Sequence, residues 1–138
     1  MGFILNIIAL ILYALVYIVD YFVTFFKYKG QRGYIKKVSK NHFDKAFRLD
    51  VFANLQYKDT WAIVFGRKGY QFGRFGETLS SVFGKKRADK SLTYFGYIIT
   101  YILDLLWFTD WLKGGHCKAS IMTEERIKEV KQLIINQE

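Results

Sequence analysis

Apolar residues fall into one long block, one shorter block and two periodic stripes. Phe3 to Phe26 reads FILNIIALILYALVYIVDYFVTFF, interrupted only by Asn6, Asp20 and Thr24. A helix of about 20 mostly apolar residues crosses a bilayer core. A lone segment in lipid must be helical, because its backbone groups can bond only within the segment. The block therefore predicts a membrane anchor over residues 1–26. Asp20, flanked by Tyr17 and Tyr21, is expected at the headgroup level in an aromatic belt, or against a partner helix. The second block, Ser91 to Leu112, reads SLTYFGYIITYILDLLWFTDWL. On a helix it divides into two faces. One carries Phe95, Ile98, Ile99, Ile102, Leu105 and Leu106; the other carries Tyr94, Tyr97, Tyr101, Asp104, Phe108 and Trp111. A carboxylate at mid-bilayer costs about 2.5–3.5 kcal/mol on insertion scales. Asp104 and Asp110 therefore point to an in-plane or core-packed helix rather than a second span.

The stripes complete the fold class. Phe43, Ala46, Phe47, Val51 and Leu55 recur at helical spacing behind Asn41, which predicts an Asn41-capped helix over residues 42–56. Ile127, Val130 and Ile134 form a second stripe. Thr123 stands at its N-cap, Glu124 and Glu125 in its first turn, and Met122 is placed to staple onto Ile127. Glu77 to Phe83 predicts a short helix stopped by Gly84, with KKRADK after it as a solvated basic turn. Residues 59–76 read as irregular because Gly66, Gly69, Gly73 and Gly76 recur too closely for a regular element; Trp61–Phe65 within them suits either a strand or a helical turn. The expectation is a mostly α protein, with an N-terminal transmembrane helix followed by a small helical domain that includes an amphipathic or interfacial helix. Its divisions are an anchor (1–26), a basic juxtamembrane segment (27–40), a small helical domain (41–122) and a C-terminal amphipathic helix (123–138).

Charge sets the orientation. The chain carries a formal +9. Between Lys27 and Arg48 stand eight Lys or Arg against one acid, Asp44. Basic residues beside a span stay cytoplasmic. This places the N-terminus outside and most of the chain on the cytoplasmic side, or inside a virion if the membrane is viral. A cleaved signal peptide fits poorly, since no Lys or Arg precedes the apolar run and no small-residue cleavage site follows it. Anionic lipid headgroups are the nearest partners for Lys27, Lys29, Arg32, Lys36 and Lys37, and for Arg67, Lys68 and Arg74 in the glycine-rich loop; each Lys or Arg near such a surface adds about 1 kcal/mol. That loop also has the composition of a phosphate cradle, although GRKGYQFG lacks the GK[ST] ending of a Walker A loop. Aromatics interleaved with basic residues leave nucleic acid as a rival partner. The single cysteine, Cys117, rules out an internal disulfide and suits a reducing side.

Polar residues outside these blocks form one constellation. Asp50 and Asn54 lie one helical turn apart, Glu77 and Ser81 likewise with Ser80 beside them, and His116–Cys117 follow a glycine pair. The residues suit a buried polar network tying three elements together. They also permit catalysis through Glu77, His116 or Cys117, which would need a base beside a thiol of lowered pKa. No cofactor motif is present, and His42, His116 and Cys117 are too few for structural zinc. The series Asp50-x-x-x-Asn54, then GRFGETLSSVFG (73–84), then Gly115-His116-Cys117 resembles a family of small uncharacterised bacteriophage proteins. Those proteins pair D-x-x-x-N with E-T-[IL]-S-S-x-x-G and a later H-C, often behind an apolar N-terminal segment. The resemblance covers roughly residues 49–121 and implies a phage origin without an activity. The expected role is non-enzymatic, at the host inner membrane or a virion membrane: lysis accessory, superinfection exclusion or genome delivery. A homo-oligomer or other phage proteins are the protein partners this implies. A membrane-tethered enzyme and a membrane-anchored nucleic-acid-binding protein are the alternatives.

Overall fold

The long apolar block is helical from end to end. The structure, a computed structural model, describes residues 2–106 and 108–136, with backbone alone at 108 and 109. Among the described residues are seven α-helices and no strand. They are α1 (Gly2–Tyr28), α2 (Tyr34–Gln56), α3 (Lys58–Phe65), α4 (Leu79–Ala88), α5 (Tyr94–Leu106), α6 (His116–Ala119) and α7 (Glu124–Ile135), with a 3-10 helix at Phe108–Lys113 between α5 and α6. The chain divides into two compact units, Met1–Lys45 and Ala46–Glu138, with the division inside α2.

In the first unit α1 runs for 27 residues, about 40 Å at helical rise. It is long and apolar enough to cross a bilayer, and its most apolar window has no buried residue. Its last turns carry the polar interruptions. Asp20 pairs with Lys45, which also donates to Thr24 Oγ1 at 3.2 Å. Asn41 Nδ2 donates to the same hydroxyl at 3.0 Å. Tyr21 stacks on His42 at 4.8 Å, and Phe25 meets Tyr34 edge-on at 5.6 Å. Asp20 thus has a partner helix within its own chain. Asn41 does not cap a helix, because α2 has already begun at Tyr34 and its side chain is engaged by Thr24.

The second unit has two contiguous cores. Phe65, Phe72, Val82, Phe83, Leu92 and Cys117 form one, with Trp61 and Leu103 packed against it. Phe65 sits at its centre, edge-on to Phe83 at 5.0 Å and stacked on Phe95 at 5.7 Å. Val51, Met122, Ile127 and Val130 form the other, so the C-terminal helix shares a core with α2. Burial of each such side chain is worth about 1.5–3 kcal/mol. Thr123 caps α7 by accepting from Arg126 N, as its spacing predicts.

Three local expectations are corrected. Residues 58–65 are helical, where the closely spaced glycines downstream predict an irregular stretch from 59. Gly84 does not stop α4, which continues to Ala88. Gly84 is there because the Cys117 backbone packs directly on it, where a Cβ would collide with that carbonyl. In α5 neither of the two apolar faces is the buried one: Gly96 and Thr100 are buried instead, with Ile99 and Leu103 partly covered. Small residues let α5 approach closely and leave its large ones outside. The Phe108 side chain lies outside the described residues. At 13 residues, or about 20 Å, α5 falls short of the roughly 30 Å hydrocarbon thickness.

Candidate functional site

The polar constellation assembles around a loop, not around a substrate. Asn54, fully buried on α2, uses its whole amide on the chain at 73–77. Its Nδ2 donates to Glu77 O at 2.9 Å and Arg74 O at 3.3 Å, and its Oδ1 accepts from Gly73 N at 3.0 Å. The loop can take this path because Gly76 has φ +89°, and its α-carbon comes so near Ile127 O that an added Cβ would lie 2.6 Å from that oxygen. Thr78 then caps α4, accepting from Ser81 N at 3.2 Å.

Glu77 is the centre. It is fully buried, and a buried carboxylate needs both pairing and hydrogen bonds. Ser81 Oγ donates to Oε1 at 2.7 Å, Tyr70 Oη donates to Oε2 at 2.6 Å, and Lys85 Nζ stands 2.7 Å from Oε1. Ser81 and Lys85 lie one turn apart on one face of α4, and Glu77, just before the Thr78 cap, meets that face. Tyr70 Oη also accepts from Arg74 at 3.0 Å and Lys85 at 3.1 Å. Arg74 reaches on to pair with Glu124 of α7, so it is held in the network rather than left open to an anion. Burial alone would lower the Lys85 ammonium, but its bonds to Glu77 and Tyr70 outweigh that and raise it. Ser81 Oγ accepts from Met122 N at 3.0 Å, fastening the entrance to α7.

Asp50 takes a separate part. Its Oδ2 accepts from Ser80 N at 3.3 Å. Burial pushes its carboxyl above the usual carboxylate range, although the Ser80 bonds and the nearby His116 charge oppose this. A carboxyl with a raised folded-state pKa binds more protons folded than unfolded, so its contribution falls as pH rises through the folded value. Asp50→Asn, which keeps an oxygen for Ser80 N, is therefore expected to be more stable than the parent at pH 7. Denaturant titrations at pH 7 and pH 3.5 check this: the gain should vanish at the lower pH. A gain that persists there would show that the Asp50 charge is not its source.

His116 and Cys117 belong to another cluster. His116 Nδ1 lies 3.1 Å from Asp110 Oδ2, and Nε2 lies 3.5 Å from Ser120 Oγ. Cys117 N donates to Asp104 Oδ1 at 2.9 Å, and Asp104 pairs with Arg87. The thiol is fully buried, 4.0 Å from Thr100 O. Burial first and Asp104 second push it up to about 12. A nucleophilic cysteine needs the opposite shift.

The structure thus brings Asn54, Glu77 and Ser81 together, joins Asp50 to Ser80, and sets His116 and Cys117 with acids of their own. Tyr70, Lys85, Asp104 and Lys86 were missed from sequence. Lys85 was detectable, since it continues the Glu77–Ser81 spacing by one more turn. Lys86 was not: it lies in a run of basic residues, yet is fully buried, donating to Tyr70 O at 3.0 Å and to Lys68 O, with Phe72 beneath its ammonium. No signal marked Tyr70, and Asp104 stood out only as a carboxylate within an apolar run, with nothing to name Arg87 or Cys117 as its partners. Among the described residues no three His, Cys, Asp or Glu side chains gather as a metal-ligand set.

One surface feature lies apart from the network. Gly66, Arg67, Lys68 and Gly69 face residues 89–93 across an open cleft of about 630 Å³. Comparison with protein-family models, with curated proteins and with solved structures finds no match to this chain.

Proposed function

We propose that the chain is a single-pass membrane protein with its N-terminus outside and its bulk on the cytoplasmic or virion-interior side. Its role at that membrane is non-enzymatic. The observation that carries this is the state of the reactive groups. Glu77 is saturated by three side-chain partners, and the Cys117 thiol is buried with its pKa raised. Such a network rigidifies a small domain, and it leaves neither the Glu77 carboxylate nor the Cys117 thiol available as a base or a nucleophile. The α1 helix supports the anchor, and the basic residues 27–48 support the orientation. Anionic headgroups are the first partner proposed, through Lys27, Lys29, Arg32, Lys36 and Lys37. The resemblance to small phage proteins supports a role in lysis, superinfection exclusion or genome delivery, with a homo-oligomer or other phage proteins as further partners.

The test is expression of the full chain in a bacterial host, scoring lysis timing and phage plating. The reading expects a phenotype unchanged by Cys117→Ser. Loss of that phenotype in a variant that is still membrane-bound and equally stable would replace it with the enzyme reading.

A further inference from the structure

The outer face of α5 is built of large apolar side chains that are exposed. Tyr94, Ile98, Tyr101, Ile102, Leu105 and Leu106 are all exposed, Leu106 at 68%. They recur at intervals of three and four, the spacing of a single helical stripe. In the 3-10 helix that follows, Trp111 is 55% exposed and Leu112 fully exposed. The only charged residue of α5 is Asp104, which is turned inward to Arg87 and Cys117 N. A contiguous apolar surface of this kind marks an interaction site.

A second observation identifies the occupant. The N-terminal end of α5 opens onto the basic cleft, whose walls include Arg67, Lys68, Lys90 and Thr93. The cleft also holds one carboxylate, Asp89, whose oxygens already accept from Tyr70 N at 2.8 Å and Ser91 N at 3.1 Å. Three cations at one end of an apolar stripe, with Tyr and Trp along it, are the components of a helix lying at a lipid interface. The chain itself supplies the membrane, since α1 tethers this unit to it.

We propose that α5 and the 3-10 helix lie in the plane of an anionic bilayer, with the Arg67, Lys68 and Lys90 cleft over its phosphates. This rests on the membrane reading above, and names which surface of the second unit meets lipid. A headgroup phosphate would be held by the charge of Arg67, Lys68 and Lys90 at the cleft wall, while the stripe enters the boundary between headgroups and acyl chains.

The experiment uses the full chain in nanodiscs of mixed phosphatidylglycerol and phosphatidylcholine. Leu106→Cys carries an environment-sensitive fluorophore; Lys128→Cys, on the polar face of α7, is the water-exposed control. Doxyl-labelled lipid is expected to quench the Leu106 label at least threefold more than the control. Replacing Arg67, Lys68 and Lys90 with Gln, or using phosphatidylcholine alone, is expected to halve that quenching or more. Equal quenching at Leu106 and Lys128 overturns the proposal. So does a Leu106 signal that depends on protein density but not on doxyl lipid, which would mean a second copy covers the stripe. Quenching indifferent to lipid charge overturns the headgroup part. Carbonate extraction run in parallel separates these results from failure of the membrane reading, because a chain that extracts has no anchor at all.

Discussion

Glu77→Ala is expected to destabilise the second unit by about 3–5 kcal/mol, the range for breaking a buried ion pair by removing one partner. The carboxylate has no solvent exposure and satisfies Ser81, Tyr70 and Lys85 at once. Its loss leaves an ammonium that is only 17% exposed without its counter-charge, and frees the Tyr70 hydroxyl on which Arg74 also depends. The Thr78 cap and the Met122 attachment follow from the same residues, so α4 and α7 should loosen together. At about 4–8 °C per kcal/mol for a domain of this size, the melting temperature in detergent should fall by more than ~12 °C. Glu77→Gln should lie between parent and Ala, because an amide still bonds Ser81 and Tyr70. Combining Glu77→Gln with Lys85→Met should recover part of the loss of either single change, since the uncompensated charge is gone. A Glu77→Ala variant within 1 kcal/mol of the parent would remove Glu77 from the centre of this account.

The second large effect concerns α1. Ile8 and Leu12 lie one helical turn apart, and both are exposed along α1. Arginine near the middle of a span costs about 2.5–3.5 kcal/mol on insertion scales, so Ile8→Arg with Leu12→Arg together should add about 5–7 kcal/mol. Membrane retention after carbonate washing should collapse, while Lys27→Gln with Lys29→Gln should leave it intact. Equal retention of the double-arginine chain and the parent would mean that α1 is not held by lipid. The boundary should fall near Asp20, where α1 turns from lipid-compatible residues to the polar contacts with Lys45 and Asn41.

Much of this was legible because local rules and packing agree. The Thr123 cap, the Ile127–Val130–Ile134 stripe and the Met122 contact all follow from adjacent residues, and α7 obeys them. The Asp50–Asn54 and Glu77–Ser81 pairs were visible because helical spacing places each on one face. What sequence could not show was tertiary override. Asn41 is a good cap residue by type, but Thr24 of another helix engages it. Gly84 is a good stop, but the Cys117 backbone needs its missing Cβ, and so the helix runs on. Lys86 looks solvated among its neighbours, yet it is fully buried, with its ammonium on two loop carbonyls. The inward face of α5 was hidden for the same reason: Gly96 and Thr100 carry no hydrophobic signal, and only close packing makes them the buried side.

The burial of Cys117 also decides how topology is measured. Its thiol is fully buried and should resist maleimide in the folded chain on either side of a membrane, so a label on it would report unfolding. Lys128, exposed on α7, is the better position. Lys128→Cys in intact bacterial cells, treated with a membrane-impermeant maleimide before and after permeabilisation, tests the anchor and its orientation in one experiment. Labelling is expected only after permeabilisation, with the chain in the membrane fraction. Labelling of intact cells would put the second unit outside and contradict it.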